Sequence, residues 1–135
     1  MSPEKIVFII AIIVVSIFVI TAVAMKLPKR LKQDKFYDKW KQVQGCLSDK
    51  NEWRQAIIQA DDMLAEALKK KKIKGGTTGE RLVSAQKIFS DNDSVWYGHK
   101  LRSKVEADES LALKQDEVKR ALLGIGQALK DLGAL

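Results

Sequence analysis

The chain has 135 residues, of which 24 are Lys or Arg and 17 are Asp or Glu, so its formal net charge is +7. It contains one cysteine and one histidine, which excludes an intramolecular disulfide and is too few residues for a Cys/His metal cluster. The length predicts one domain with room for a short appendage, and nothing in the composition calls for a cofactor or a metal.

The first element is the apolar segment IVFIIAIIVVSIFVITAVAM at residues 6–25. As a helix it would extend about 30 Å, the thickness of the hydrocarbon core of a bilayer. Its only polar side chains, Ser16 and Thr21, can each donate to a carbonyl one turn earlier. We predict a transmembrane helix here, after a short tail at residues 1–5. A secretory signal cleaved after Ala24 is the alternative, but the apolar run is longer than that of a signal and the residues before it are hardly basic.

The segment after the span, residues 26–35, is basic. Because positive residues prefer the cytoplasmic side, we expect a single-pass membrane protein with its N-terminus outside and its C-terminal domain in the cytosol. Residues 36–135 carry 18 basic and 15 acidic residues, so this domain does not have the strong positive charge typical of a nucleic-acid-binding domain. The side chains expected to contact anionic lipid head groups are Lys26, Lys29, Arg30, Lys32 and Lys35.

The membrane helix is expected to end or kink at Pro28, and an amphipathic helix follows it. Its apolar face is formed by residues spaced as on one side of a helix, namely Phe36, Trp40, Val43 and Leu47.

A second helix is predicted to start at Asp49, with Glu52 three residues later in the spacing of a capping box. It is predicted to end at Gly75 and Gly76, after the basic run at 69–72. Its apolar positions are Trp53, Ile57, Ala60, Leu64 and Leu68.

Three shorter helices complete the domain. A Thr-x-x-Glu capping box at 77–80 begins the third helix, whose apolar positions run to Phe89. The fourth helix carries the spaced positions from Val95 to Val105 or Glu106. The fifth helix carries those from Val118 to Leu132, has Asp116 and Glu117 near its start, and is ended by Gly133.

No segment alternates as a strand does, so we predict an all-α protein with one N-terminal transmembrane helix and a cytosolic bundle of four to five helices at 36–135. Trp40, Trp53 and Trp96 occupy apolar helical positions and are predicted to pack in the core. Cys46 is predicted to be a small buried hydrophobe.

Two motifs could carry chemistry but have simpler explanations. The glycine-rich stretch KGGTTGE at 74–80 lacks both the lysine and the preceding strand of a phosphate-binding loop, so a turn with a helix cap is favoured. Asp61 and Asp62 could indicate metal binding or acid–base chemistry. Adjacent residues on a helix face different directions, so surface charge or a single buried polar contact is favoured.

The stretch HKLRSKVEAD at 99–108 holds the only histidine. His99 lies next to Trp96 on an apolar face, where a structural, hydrogen-bonded role is favoured over a catalytic one, because a general base needs a partner and a nucleophile. Arg102 and Glu106 are one turn apart and can form an ion pair.

Four stretches carry a resemblance that covers roughly residues 40–135. They resemble a family of small, often membrane-anchored helical-bundle proteins of candidate-phylum bacteria, whose W.AHK.RN.IAH helix is similar to the Rx4–6H motif of the HEPN superfamily. The stretches are AIIQADDMLAEALKK, GGTTGERL, VWYGHKLRSKV and ALLGIGQALKDLG.

The resemblance implies a HEPN-like bundle that often dimerises, in which the motif Arg and His cleave RNA without a metal. Arg102 matches the motif arginine, and Ser103 stands where Asn is usual. Ala107 stands where the catalytic histidine would be, while His99 matches an earlier histidine of the family pattern. The resemblance therefore implies the fold and argues against the nuclease activity. Glu106 is a charged residue close to these motif positions in the sequence.

From these residues we expect a membrane-anchored, non-enzymatic interaction or structural module. We expect it to form a homodimer through the helix that carries Arg102 and to bind a further, unidentified protein partner. The alternative is an RNA-binding or RNA-cleaving protein at the membrane, in which the lysines of segment 69–74 would bind phosphates beside His99, Arg102 and Glu106.

Overall fold

The computed structural model describes residues 2–26 and 31–135, and the chain there is helical with no strand. The predicted all-α class, an apolar N-terminal helix followed by a bundle, is confirmed, and the bundle has five α-helices. Two short 3-10 turns, Cys46–Ser48 and Lys50–Glu52, connect the first two helices of the bundle. The six α-helices are α1 (Pro3–Lys26), α2 (Gln33–Gly45), α3 (Trp53–Lys70), α4 (Thr78–Ser84), α5 (Asn92–Ala107) and α6 (Gln115–Asp131).

Helix α1 is long and apolar enough to cross a membrane. Its large apolar side chains are exposed, which suits contact with lipid. The predicted back-bonding of its two hydroxyls is confirmed: Ser16 Oγ donates to the carbonyl of Ile12 at 2.8 Å, and Thr21 Oγ1 donates to that of Ile17 at 3.0 Å. The end or kink predicted at Pro28 lies outside the described residues.

Long helices that follow one another along the chain run antiparallel in the bundle. Lys39 of α2 forms an ion pair with Glu66 near the end of α3, at 3.3 Å. Arg54, near the start of α3, donates to the carbonyl of Asp108 just beyond the end of α5, at 3.0 Å. The end of α3 and the start of α2 and α5 therefore lie at one end of the bundle.

Helices α5 and α6 approach each other most closely, because glycines face the contact. A Cβ on Gly98 would lie 2.8 Å from Ile125 Cγ1 and 3.0 Å from the carbonyl oxygen of Ala121. A Cβ on Gly124 would lie only 2.2 Å from the carbonyl oxygen of Ser94. Since real Cβ atoms do not approach so closely, both positions require glycine to keep this crossing.

The core extends from Leu31, which lies between α1 and α2, to Ala134 after α6. The three tryptophans are part of it or pack against it: Trp40 is buried, and Trp53 and Trp96 are partly buried. The fluorescence of all three tryptophans therefore reports on the bundle and not on α1.

The prediction that Cys46 is a buried hydrophobe is wrong. It is half-buried at the end of α2, and its thiol donates to the carbonyl of Gln42 at 3.3 Å. The chain leaves the helix there through a 3-10 turn, which turns this side chain partly toward solvent.

The prediction that Gly75 and Gly76 end α3 is also wrong. The helix ends at Lys70, and the chain reverses at Lys72, whose φ of 55° is left-handed. The N–H of Ile73 then donates to the carbonyl of Leu68 at 3.1 Å, which satisfies one of the last carbonyls of the helix. The helix is therefore capped three residues before the glycines.

Two other predicted helix bounds differ as well. Asp49 does accept from a backbone N–H, that of Asn51 at 3.0 Å, but it caps a 3-10 turn, and α3 begins only at Trp53. The third helix ends at Ser84 and does not reach Phe89, because residues 85–88 form successive turns.

Of the two hydrogen bonds of the capping box predicted before α4, the one accepted by the Thr77 side chain is confirmed. Thr77 Oγ1 accepts from the N–H of Glu80 at 3.2 Å. The carboxylate of Glu80 reaches one residue further back than predicted and accepts from the N–H of Gly76 at 2.6 Å. The glycine-rich stretch is thus the cap of a helix, as expected.

Candidate functional site

Asp61 is the one buried charged residue in the part of the chain that the structure describes. Its exposed fraction is 2%, and it lies in the middle of α3 on the side that faces α5. A carboxylate removed from water must be hydrogen-bonded or paired with a cation to remain ionised. The surroundings of Asp61 therefore define the candidate site.

Two cationic or basic side chains of α5 meet this carboxylate. His99 Nδ1 lies 3.0 Å from Asp61 Oδ1 and 3.2 Å from Oδ2. Arg102 Nη1 lies 3.2 Å from Asp61 Oδ2. The two residues are one helical turn apart, and the antiparallel packing of α3 and α5 brings both of them to the same carboxylate.

Arg102 also contacts two exposed carboxylates. Its Nη1 lies 2.6 Å from Asp62 Oδ1, and its Nη2 lies 2.7 Å from Glu106 Oε1. The hydrogen bond to Glu106 and the nearby charges of Asp62 and Asp61 raise the pKa of the guanidinium above its already high ordinary value, although burial opposes this. In return, the hydrogen bond from Arg102 lowers the pKa of Glu106. The guanidinium is thus held between three carboxylates.

These contacts agree with two sequence predictions. The pair Arg102–Glu106 is present as predicted. Asp61 and Asp62 face different directions, as predicted, because Asp61 is buried and the side chain of Asp62 is 60% exposed. The long Arg102 side chain lies between them, and both carboxylates reach its Nη1 atom.

The second nitrogen of His99 faces a shallow open pocket of about 400 Å³. A Cβ on Gly79 of α4 would lie 3.9 Å from His99 Nε2, and the ring of Trp96 stands edge-on to the imidazole with 5.9 Å between centroids. Because Nδ1 lies at hydrogen-bond distance from Asp61, Nε2 is the ring nitrogen that is left for the pocket. The pocket is lined further by Thr77, Thr78, Ser103 and the carboxylates around Arg102.

Two of the hydroxyl groups beside this pocket, those of Ser103 and Thr77, are engaged in backbone hydrogen bonds. Ser103 Oγ donates to the carbonyl of His99 at 3.3 Å, and Thr77 Oγ1 accepts the N–H that caps α4. Neither hydroxyl is bonded to the imidazole, so an arrangement of nucleophile and base is not assembled from these two side chains.

The described residues do not provide a set of ligands for a metal ion at this site. Across residues 2–26 and 31–135 there is no group of three or more His, Cys, Asp or Glu side chains that could hold a metal ion. Asp61, Asp62 and Glu106 converge, but the guanidinium of Arg102 occupies the position between them. Their negative charge is compensated by a side chain of the protein itself.

Of the other two positions that carry the resemblance, Ser103 lines the same pocket as Arg102, and Ala107 does not. Both residues are exposed, and Ala107 is the last residue of α5. The three positions therefore do not all line one pocket.

The structure adds one residue that the sequence did not single out. Arg54 of α3 donates through Nη2 to the carbonyls of Val105 and Asp108, which are left without helical partners at the end of α5. Its Nη1 atom is buried with no hydrogen-bond partner among the described residues. No local signal could reveal this contact, because it joins residues more than fifty positions apart.

Two of the residues predicted to contact lipid head groups are placed by the structure. Lys32 and Lys35 are exposed at the start of α2. Lys26 is the last residue of α1, and its side chain lies outside the described part, as do Lys29 and Arg30.

Comparison of the chain with protein-family models, with curated proteins and with solved structures found no match. The resemblance to HEPN bundles therefore stays a prediction from the residues quoted above.

Proposed function

We propose that this protein is a single-pass membrane protein whose cytosolic bundle is a non-enzymatic interaction or structural module resembling a HEPN domain without its active site. The observation that carries the proposal is the engagement of Arg102 by Asp61, Asp62 and Glu106. An arginine held by three carboxylates within its own chain is a structural tie, because little of its positive charge remains for a phosphate.

The anchor and its orientation are the first part of the proposal. The exposed apolar surface of α1 and the basic residues that follow it support a helix that crosses a bacterial inner membrane with its N-terminus outside. The test is protease digestion of sealed inner-membrane vesicles and of spheroplasts, together with the intact mass. Degradation of the bundle from the outer side, or a mature chain that begins at Met25, would contradict this proposal.

The absence of nuclease activity is the second part. Alanine cannot transfer a proton, so Ala107 cannot replace the histidine of the HEPN motif. We expect the purified chain in detergent micelles to leave RNA intact. If Ala107→His creates cleavage that Arg102→Ala abolishes, the HEPN-like site has been lost by this substitution. Cleavage by the unmodified chain, abolished by Arg102→Ala, would overturn the proposal.

Self-association through α5 is the third part. Lys100, Ser103 and Ala107 are exposed along one side of this helix, and the two small residues allow a second helix to approach closely. With Cys46→Ser as the background, Ser103→Cys should form a disulfide-linked dimer in the membrane. Asn51→Cys, exposed at one end of the bundle, is the control, and equal cross-linking of both variants would contradict a dimer through α5.

RNA binding near His99 is the second candidate function. It is favoured by one observation, the free Nε2 of His99 at the open pocket beside Thr77 and Thr78. Salt-sensitive RNA binding that His99→Ala weakens would support it, and no binding at low salt would exclude it.

A further inference from the structure

We propose that the lysine-rich end of the bundle, defined by Lys69, Lys71, Lys72 and Lys74, docks on the anionic phospholipid head groups of the bilayer that α1 crosses. The inference rests on the proposed membrane anchor. It goes beyond it by assigning a lipid-binding surface to the folded bundle and by fixing which end of the bundle faces the membrane.

The fold places these lysines at the end of the bundle where the chain arrives from the membrane. Lys70 lies over the ring of Phe36 in the first turn of α2, with its Nζ 5.5 Å from the ring centroid. Lys71 lies beside the end of the chain, because a Cβ on Gly133 would be 3.9 Å from its Nζ. The end of α3, the start of α2 and the end of α6 therefore share one surface.

The connection to the membrane helix keeps this surface close to the bilayer. Helix α1 ends at Lys26 and α2 begins at Gln33, so six residues join them. Six residues reach about 21 Å at most, even when fully extended. The structure also joins the two directly, since Lys72 Nζ donates to the carbonyl of Met25, near the end of α1.

The positive charge of this end is only partly compensated by carboxylates. Lys70 forms an ion pair with Glu66 at 2.9 Å. Among residues 2–26 and 31–135, none of the four lysines that define the lysine-rich end is paired with a carboxylate, and three of them are exposed. Segment 69–74 contains five lysines and no acidic residue.

Two acidic groups near this surface are bonded to backbone. The Glu80 carboxylate accepts from the N–H of Gly76 at 2.6 Å, and the Asp131 carboxylate accepts from the N–H of Ser90 at 2.8 Å. They are held in fixed positions and do not form ion pairs with the lysines.

The backbone of Lys72 gives a second reason to assign a role to these lysines. Its φ of 55° is a conformation that glycine adopts without strain and that other residues adopt at a cost. The fold would be served better by glycine at this position, so the lysine side chain is expected to serve a contact outside the bundle.

Anionic lipid is the occupant that these observations favour. The exposed lysines of the lysine-rich end lie on the same end as Lys32 and Lys35, within reach of the head groups. The cytoplasmic leaflet is negatively charged, and each lysine near it adds to the attraction. The exposed surface at this end includes Ile88, which is 45% exposed and could enter the interface next to Lys87.

The test compares the heights of the two ends of the bundle above the bilayer. Full-length chains in the Cys46→Ser background carry one donor dye, either on Gln86→Cys or on Ala112→Cys, in nanodiscs with acceptor-labelled head groups. Gln86 is at the lysine-rich end, because its carbonyl accepts from Asn92 Nδ2 at 2.9 Å and α5 starts at this end. Ala112 is exposed in the loop at the other end, about 27 Å away along the 18 residues of α3.

In discs of phosphatidylcholine with phosphatidylglycerol, we expect energy transfer from Gln86→Cys to exceed that from Ala112→Cys several-fold. The difference should decrease in high salt and in discs of phosphatidylcholine alone. It should also be lost when the four lysines of the lysine-rich end are changed to Gln. A matched control removes the same charge from four exposed lysines elsewhere and should keep the difference: Lys50, Lys104, Lys114 and Lys119.

The outcomes separate this inference from the proposed anchor. Chains that do not enter the discs would overturn both. Chains that enter them but show equal transfer from both positions, or a difference that persists in the variant without the four lysines, would overturn the docking alone. If that variant keeps its orientation but loses RNA binding, the lysine-rich end is an RNA-binding surface instead.

Discussion

Asp61 of α3 and His99 of α5 lie 3.0 Å apart, and the carboxylate has an exposed fraction of only 2%. Arg102 bonds to the same carboxylate from the next turn of α5. This buried group therefore helps to fix the register of two antiparallel helices, which Arg54 also joins by hydrogen bonds at the end of α5. It is the point of the bundle where removal of a single charge has the largest expected effect.

The change Asp61→Asn should lower the free energy of unfolding of the bundle by about 3 kcal/mol, because it leaves Arg102 and His99 facing a neutral amide. Urea unfolding followed by tryptophan fluorescence measures this in the full chain in micelles, since all three tryptophans lie in the bundle. Asp62→Asn is the matched control. Its side chain is 60% exposed, and we expect a change of less than about 1 kcal/mol. Equal effects of the two changes would contradict a structural role for the buried carboxylate.

The change Gly124→Ala should destabilise the bundle by more than about 2 kcal/mol, because the new Cβ would lie 2.2 Å from the backbone oxygen of Ser94. Helices α5 and α6 would have to move apart to accept it. Gly45→Ala is the control, since a Cβ there meets no atom within 4 Å and the residue is helical. Alanine is favoured over glycine in helices, so this control should raise stability by up to about 1 kcal/mol. Loss of stability in both variants would show that the close crossing of α5 and α6 is not the cause of the destabilisation by Gly124→Ala.

The helical elements could be predicted from the sequence because their apolar residues recur with the helical period. Their ends could not always be predicted. Glycines at 75 and 76 are the usual sign of a helix end, but α3 stops earlier, where the Ile73 N–H bonds back to Leu68. The apolar spacing up to Phe89 persists although the chain leaves the helix after Ser84, because successive turns can also direct such residues inward.

The candidate site was predictable only in the part that lies on one helix. The spacing of Arg102 and Glu106 predicts their ion pair, and the position of His99 predicts a structural role. The partners on α3 depend on the register of α3 against α5. The contacting residues lie 38 or more positions apart in the chain, so no local sequence pattern predicts them. For the same reason Asp61 could be suspected of one buried contact, but its partners could not be named.

The change Lys72→Gly should stabilise the bundle by about 1 kcal/mol, because it relieves the left-handed conformation at φ 55°. It should at the same time weaken the docking on anionic bilayers. Lys71→Gly removes the same charge from a residue with φ −76°, and we expect it to leave stability unchanged or lower it. The measurement is urea unfolding of the full chain in micelles. A loss of stability in Lys72→Gly as large as in Lys71→Gly would contradict the strain at this residue.

Asp131 should give the bundle part of its stability at neutral pH. Burial alone would raise the pKa of this carboxyl, but hydrogen bonds from the Ser90 backbone N–H, from Ser90 Oγ and from Gln127 Nε2 outweigh it, so the pKa is lowered. A carboxyl with a lowered folded-state pKa stabilises the fold above its unfolded value of about 4, and this contribution is lost as the pH falls through the lower folded value.

The change Asp131→Asn should therefore cost about 1 kcal/mol at pH 7 and almost nothing in strong acid, so that its unfolding curves converge with those of the unmodified chain as pH decreases. Unfolding by urea in micelles at a series of pH values measures this. Asp38→Asn, an exposed residue of α2 without an ion pair among the described residues, should leave the difference near zero at every pH. The hydrogen bonds between Ser90 and Asp131 also matter for the lysine-rich end. They join the turn at Ser90 to the end of α6, which lies beside Lys71. A constant difference between Asp131→Asn and the unmodified chain across the acid range would mean that the carboxyl contributes by packing and not by its charge.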